Sequence, residues 1–115
     1  MTLGTSGNDC QVATRSTVCQ PPTIIIVDSN AEAQNILGNS STKDSSLGMT
    51  AQLLTAKLNI KGGFGNPSCI LSTVQQADNA LSTYGYGTSP TGAARQTELD
   101  LYTRLKYWNE NGTCL

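Results

Sequence analysis

The sequence predicts a mainly α-helical protein, a small three- to four-helix bundle with a short-stranded, disulfide-bonded N-terminal region. Three stretches repeat apolar residues at the spacing of one helix face, capping residues bound these stretches, and the chain before residue 28 holds only short β-branched runs. Because 115 residues suit one domain, we expect a single domain over residues 1–115. Within it we expect an irregular or short β region over 1–27 and the helical bundle over 28–115.

The N-terminal region contains one apolar run that predicts a strand. Pro21 and Pro22 enforce an extended backbone, and the β-branched residues 23–27 that follow favour a strand buried on both faces. A second interpretation is an edge strand that pairs with a neighbouring molecule. In that case the assembly residues are Ile24, Ile25, Ile26 and Val27.

Capping residues indicate four helices along the rest of the chain. The predicted helices span residues 31–37, residues 44 or 45 to about 60, residues 67–84, and residues 93 to about 108. Asp28, Ser29 or Asn30 is the candidate cap of the first helix, and Asp44 or Ser45 is the candidate cap of the second. Pro67 suits the first turn of the third helix. Glycines follow the first three spans, where a helix commonly ends.

The three longer helices each carry one apolar stripe. The stripes are Leu47, Ala51, Leu54 and Leu58 in the second helix, Ile70, Val74, Ala77 and Leu81 in the third, and Leu101, Leu105 and Trp108 in the fourth. Since each helix has one apolar face, the three can bury those faces only against one another, and this predicts a bundle.

The four cysteines are an even number in a short chain. They are Cys10, Cys19, Cys69 and Cys114, and outside the cytosol we expect them to form two disulfides. Three pairings are possible. We favour Cys10–Cys19, which closes a short local loop, together with Cys69–Cys114, which ties the C-terminus to the middle of the chain. The alternative is four free buried thiols in a cytosolic protein. Zinc is a weaker interpretation still, because no two cysteines have ligand spacing and the chain has no His.

The composition favours an extracellular or cell-surface location. Charged residues are 13% of the chain, about half the usual ~25%, and small polar residues replace them: 15 Thr, 11 Ser, 9 Asn and 11 Gly. The first residues lack the features of a signal peptide. We therefore interpret Met1 as a start residue placed where a signal peptide or an upstream domain was removed.

The charge balance makes two classes of partner poor candidates. The net charge is −1, so the chain generates no long-range field that would attract nucleic acid or acidic membranes. The longest apolar run, residues 24–27, is far short of the ~18 residues of a membrane span. We expect neither nucleic-acid binding nor membrane insertion.

Four sequence segments carry a resemblance to a known module. They are QNILG over residues 34–38, Leu47 with QLLTAKLNI over residues 52–60, ADNAL over residues 77–81 and, more loosely, LDLY over residues 99–102 with Cys114. Together they resemble a helical module of large bacterial secreted and surface proteins, in which a "QLIAAKLN"-like helix precedes a glycine and an "AD-ALL"-like helix. The resemblance implies a helical fold, an extracellular multidomain protein and no enzymatic activity. The "G-[YF]-W-K-x-H-P" motif that opens the module has no counterpart between Leu3 and Thr23.

The residues offer little support for catalysis, and we predict no catalytic residue, cofactor or metal site. Nucleophilic catalysis needs a base, and without His the base would be a lysine or a carboxylate, for which no local motif exists. The acidic residues Glu98 and Asp100 are two positions apart on a helix and so point to different sides. We interpret both as solvated residues near a helix N-terminus.

Two tyrosines are the candidate ligand-binding residues. Tyr84 and Tyr86 lie beside glycines in a predicted loop, where exposed rings can stack on sugars or anchor a protein. The alternative is that they pack partly buried while Trp108 belongs to the core. Asn39 and Asn111 also fit the glycosylation pattern N-x-[ST].

The leading functional hypothesis is a non-catalytic extracellular structural or interaction module, a self-assembling surface or filament subunit. Its partners would be other copies of itself or other domains of a surface protein. Low charge, disulfides and the Ile-rich run at residues 24–27 support it, because a nearly neutral chain lacks the repulsion that keeps proteins apart. The alternative is a module that binds a glycan or a protein ligand through Tyr84 and Tyr86.

Overall fold

The computed structural model describes residues 1–4, 25–41 and 43–115, and within them the chain is mainly helical, as the sequence predicts. The elements are β1 (Thr2–Leu3), β2 (Ile25–Ile26), α1 (Asn30–Gly38), α2 (Ser45–Lys61), a 3-10 turn (Pro67–Cys69), α3 (Leu71–Tyr84) and α4 (Gly92–Asn111). Helices α2, α3 and α4 pack on one another, while α1 and β1 pack against α2.

Side-chain caps begin α1 and α2. The Ser29 hydroxyl accepts a hydrogen bond from the Glu32 N–H at 3.2 Å, and the Asp44 carboxylate accepts one from the Ser46 N–H at 3.0 Å. Each bond satisfies a backbone donor that the first helical turn leaves unpaired. Of the candidate caps in the sequence, Ser29 and Asp44 are therefore the ones used.

The later helices differ from their predicted spans at the ends. The third predicted helix is divided into the 3-10 turn Pro67–Cys69 and α3, which begins at Leu71. The fourth continues three residues past Trp108 and ends where Gly112 adopts a left-handed conformation at φ 73°. A glycine takes this conformation without steric cost, which makes it a common helix stop.

The stripes predicted for α3 and α4 are confirmed in their main residues, whereas the stripe predicted for α2 is confirmed at Ala51 and Leu54 and wrong at Leu58. Buried core residues include Ile70, Ala77, Leu81, Leu101, Leu105 and Trp108, as predicted. On α2 the core includes Met49, Leu53 and Ala56 besides the predicted Ala51 and Leu54, while Leu58 is 43% exposed. The reason is that α2 is contacted from several sides by α1, α3, α4 and β1, so more than one face is covered.

The two short strands form an antiparallel pair. Thr2 lies opposite Ile26 and Leu3 opposite Ile25. The predicted burial of residues 23–27 on both faces is wrong for the described part, because Ile26 is 62% exposed while Val27 is buried. One face of this pair packs on the helices and nothing among the described residues covers the other. Ile24 lies outside the described residues.

One of the two favoured disulfides is present. Cys69 in the 3-10 turn is bonded to Cys114 in the C-terminal tail, with the two Cα atoms 6.2 Å apart. The other favoured pair, Cys10 and Cys19, lies outside the described residues. The observed bridge joins residues 45 positions apart and so fixes the chain end to the loop before α3.

Candidate functional site

The outer edge of β2 is the surface where the sequence places the assembly residues. The Met1 amino group donates to the Val27 carbonyl at 2.8 Å, and the Val27 N–H donates to the Met1 carbonyl at 2.7 Å. Hydrogen-bonded and non-hydrogen-bonded pairs alternate along an antiparallel ladder. The next pair, Thr2 and Ile26, is therefore a non-hydrogen-bonded pair, and the Ile26 N–H and carbonyl point away from β1.

Ile26 presents both a main-chain edge and an apolar side chain at this surface. No other described residue is hydrogen-bonded to the Ile26 main chain on the outer side. The side chain is 62% exposed, whereas Ile25 is half-buried and packs against the core. A strand edge of this kind is a template for pairing with another chain. Of the three described assembly residues, Ile26 is therefore the one that combines an exposed side chain with an outward-facing main chain.

A shallow groove of about 240 Å³ lies beside Val27, which follows β2. Val27 and Ala33 form part of its wall, and Leu58, an exposed residue of α2, forms another part. The groove also contains the polar groups of Asp28 and Lys61. Ile26 does not line this groove.

The opposite side of the strand pair is held by two charged side chains that the sequence analysis did not single out as a site. The Lys57 ammonium donates to the Thr2 carbonyl at 2.7 Å and to the Asp78 carboxylate at 2.8 Å. The same oxygen of Asp78 accepts the Gly4 N–H at 2.8 Å. No local motif could reveal this arrangement, because Gly4 and Asp78 are 74 positions apart.

The structure does not bring Tyr84 and Tyr86 together as one ligand-binding surface. Tyr84 is partly exposed and lines a groove of about 270 Å³ between α3 and α4, with Gln76, Asn79 and Thr97 among its neighbours. Tyr86 does not line that groove and packs against the core. Its buried hydroxyl has no hydrogen-bond partner among the described residues. Burial raises the pKa of Tyr86, and the nearby charge of Asp44 adds to the increase.

The interpretation of Glu98 as a solvated residue is wrong. Its side chain is fully buried, one carboxyl oxygen accepts the Ser45 hydroxyl hydrogen at 2.8 Å, and the other has no partner among the described residues. Burial raises the pKa of Glu98, and the charge of Asp44 acts in the same direction. The sequence predicted solvation because Glu98 is in the first two turns of α4, but packing of that turn against Ser45 of α2 buries it. Asp100 is exposed, so the two do not form a carboxylate pair.

The pKa of Asp44 is shifted in the opposite direction to that of Glu98. Its partial burial acts to raise its pKa, but the hydrogen bonds donated by Ser46 and Ser89 together outweigh that effect and lower the pKa. Asp44 therefore stays ionised as the cap of α2 and holds the loop at Ser89. The pKa shifts of Glu98 and Asp44 thus differ because Glu98 is fully buried and accepts a single hydrogen bond, whereas Asp44 is only partly buried and accepts several.

We expect Glu98 to make the protein less stable as the pH rises. The folded state binds the Glu98 proton more tightly than the unfolded chain, in which the carboxyl has its ordinary pKa of about 4.5. The stabilisation is complete below that value and is lost as the pH rises through the raised pKa of the folded state. Urea unfolding between pH 4 and pH 8 should show this decline, and Glu98→Gln should reduce it.

Glu110→Gln is the matched control, since Glu110 is an exposed carboxylate of the same helix. The control should keep the pH dependence of the wild-type protein. Identical pH profiles for the wild-type protein and Glu98→Gln would contradict the assignment of a protonated, buried Glu98.

Other classes of site find no support among the described residues. No group of three or more His, Cys, Asp or Glu side chains lies close enough to hold a metal ion in this part of the chain. None of the described helices has the length and apolar character needed to cross a membrane. The two sequon asparagines, Asn39 and Asn111, are both exposed.

Comparisons of the chain with protein-family models, with curated proteins and with solved structures find no match.

Proposed function

We propose that this chain is a non-catalytic structural or interaction module of an extracellular or cell-surface protein and that it assembles with other copies through the outer edge of β2. The observation that carries the proposal is Ile26, whose main-chain groups point away from β1 and whose side chain is exposed. Strand addition at such an edge supplies main-chain hydrogen bonds for affinity and side-chain contacts for specificity.

Two further features support the extracellular part of the proposal. The Cys69–Cys114 disulfide is a bond that persists in oxidising compartments and is rare in the cytosol. The resemblance of residues 34–81 to a helical module of bacterial secreted and surface proteins is consistent with the same location.

The charge of the chain supports the assembly part of the proposal. A net charge of −1 leaves little repulsion between copies.

We expect Ile26→Lys to abolish self-assembly without unfolding the protein. A charge on an edge strand is a common way in which proteins prevent edge-to-edge pairing, and a substitution at an exposed site usually changes stability by less than about 0.5 kcal/mol. Light scattering should show oligomers or fibres for the wild-type protein and a 12.1 kDa monomer for the variant. Ile25 is a poorer test position, because a charge there would enter the core.

Leu71→Lys is the control for this experiment. Leu71 is 53% exposed at the start of α3, so the substitution removes a similar apolar surface and adds the same charge elsewhere. The control should assemble like the wild-type protein, and circular dichroism should confirm that both variants are folded. Assembly of Ile26→Lys at wild-type concentrations would contradict the proposal.

A second function, binding of a neutral glycan, is favoured by the groove between α3 and α4. Amide and hydroxyl side chains of Gln76, Asn79, Thr83 and Thr97 line it beside the Tyr84 ring, and none of the described residues that line it is charged. An aromatic ring with neutral hydrogen-bonding groups is the usual chemistry of sugar recognition. Under this function Tyr84→Ala would remove glycan binding and leave the oligomeric state unchanged.

A further inference from the structure

The first half of α4, residues 92–100, is attached to the rest of the protein by few contacts. Glu98 is the one buried residue of this half, since the other buried residues of the helix all follow residue 100. At the surface, the Arg95 guanidinium donates to the Lys43 carbonyl at 2.9 Å. The Thr91 side chain makes no capping hydrogen bond to the first turn. Glu98 is therefore the principal attachment of this half to the core.

The second half of α4, residues 101–111, is held much more firmly. Leu105 and Trp108 are fully buried, and the Asn109 amide donates to the Gln52 carbonyl of α2 at 3.1 Å. The disulfide also fixes the tail that follows the helix. Segments with few buried contacts open more readily than the core of the same protein. The first half of α4 can therefore open while the second half stays in place.

The attachment at Glu98 suits an uncharged carboxyl group. One carboxyl oxygen accepts the Ser45 hydroxyl hydrogen at 2.8 Å, and the other is buried with no partner among the described residues. A buried carboxylate is stable only where cations or several hydrogen-bond donors offset its lost hydration. The charge that acts on Glu98 is instead the carboxylate of Asp44, which disfavours a second negative charge beside it. The protonated form thus fits this site, whereas the ionised form lacks the partners it needs.

The other charged and titratable groups around this half of α4 do not neutralise Glu98. The Arg95 guanidinium is directed at the Lys43 carbonyl, and Asp100 is paired with Arg104 at the surface. Among the described residues, the Ser45 hydroxyl is the hydrogen-bond partner of the Glu98 carboxyl. The remaining titratable side chains of the adjoining segments are Lys43, Tyr84, Tyr86 and Tyr102.

We infer that ionisation of Glu98 releases the first half of α4 from α2, so that this half of the helix opens locally as the pH rises. The inference goes beyond the proposed function and does not depend on it, because the opening requires neither a partner nor a ligand. Thr97 lines the groove beside Tyr84. Part of the α4 wall of that groove therefore belongs to the segment that opens, and the groove is complete only while Glu98 is protonated.

Hydrogen exchange of the α4 amides, corrected for the intrinsic effect of pH on exchange, tests the inference. Opening lets Glu98 release one proton, so protection at residues 98–100 should fall about tenfold per pH unit above pH 4.5. The fall should level off where Glu98 also ionises in the folded protein. Low concentrations of urea should not affect this exchange, because a local opening exposes little surface.

The amides of residues 105–108 provide the internal comparison. They should be better protected than residues 98–100, and they should lose protection as urea is added, because they exchange only when the whole protein unfolds. Equal protection and equal urea dependence in the two segments would overturn the inference, since α4 would then open only as a single unit with the rest of the protein.

Glu98→Gln removes the charge and keeps the shape of the side chain. Protection at residues 98–100 should become independent of pH in this variant, whereas Glu110→Gln, at an exposed position of the same helix, should keep the wild-type profile. A fall of protection in Glu98→Gln as steep as in the wild-type protein would overturn the inference.

Ser45→Ala gives a second measurement that keeps the Glu98 carboxyl and remains informative if Glu98→Gln does not fold. The Ser45 hydrogen bond favours the ionised form of Glu98, so its loss should raise the pKa of that carboxyl further. The midpoint of the Glu98 carboxyl titration, followed by carbon-13 NMR, and the pH at which protection levels off should therefore move upward together. Movement of the titration without movement of the opening would show that the two are not coupled and would overturn the inference.

Discussion

Trp108→Ala is expected to lower the free energy of unfolding by about 3–5 kcal/mol. Trp108 is fully buried, and its indole N–H donates to the Asn66 carbonyl at 3.0 Å. Its ring also meets the ring of Phe64 edge to face, with the centroids 5.7 Å apart. The substitution therefore opens a cavity, removes an aromatic contact and leaves a carbonyl without its donor.

Equilibrium unfolding of the oxidised protein in urea, followed by circular dichroism, measures this loss. Fluorescence is unsuitable because Trp108 is the single tryptophan. Leu58→Ala is the matched control, since Leu58 is 43% exposed and should cost less than about 1 kcal/mol. A similar loss of stability in the two variants would contradict the burial of Trp108 in α4 or the exposure of Leu58 in α2.

Asp78→Ala is expected to lower the free energy of unfolding by about 3 kcal/mol, because it leaves a mostly buried ammonium without its counter-ion. The side chains of Lys57 and Asp78 are only 19% and 12% exposed. The substitution also removes the acceptor of the Gly4 N–H, so β1 should separate from the helices. Hydrogen exchange at Leu3 and Gly4, measured together with urea unfolding, reports both effects.

The ion pair between Arg104 and Asp100 provides the control for this prediction. Its side chains are 57% and 60% exposed, and exposed pairs contribute about 0–1 kcal/mol. Asp100→Ala should therefore change the free energy of unfolding by less than about 1 kcal/mol. Equal effects of Asp78→Ala and Asp100→Ala would contradict the role of Lys57 and Asp78 as the anchor of β1.

The sequence predicts an element well where its structure depends on near neighbours. The capping side chains of Ser29 and Asp44 accept hydrogen bonds from backbone N–H groups at most three residues away. The stripes of α3 and α4 are predicted well because each of these helices buries one face. The helix ends differ from the predicted ends by a few residues because a glycine such as Gly112, and not the last apolar residue, stops the helix.

The prediction fails where burial depends on residues distant in the chain. The stripe of α2 misses buried residues such as Met49, because this helix is contacted by elements that periodicity does not reveal. Glu98 is buried by contact with Ser45, 53 positions away, which no local pattern indicates. The two-sided burial of residues 23–27 is wrong at Ile26 because the described sheet has only two strands.

The candidate site is only partly predictable, because some of its features depend on contacts between residues that are distant in the chain. The β-branched run identifies β2, but only the register with β1 shows that Ile26 and not Ile25 has its main chain directed outwards. Four cysteines allow three arrangements, and the structure confirms Cys69–Cys114, the pair that the sequence favours for tying the C-terminus to the middle of the chain. The contacts that Lys57 and Asp78 make with residues 2 and 4 have no signature in the sequence, because their parts come from the N-terminal segment, α2 and α3.

The most direct test of the proposed assembly is the mass of the oxidised wild-type protein in solution, measured by light scattering over a range of concentrations with negative-stain images of the same samples. We expect a defined oligomer or fibres that form as the concentration rises and that Ile26→Lys abolishes. A 12.1 kDa monomer at every concentration would contradict self-assembly and would favour the glycan-binding groove at Tyr84.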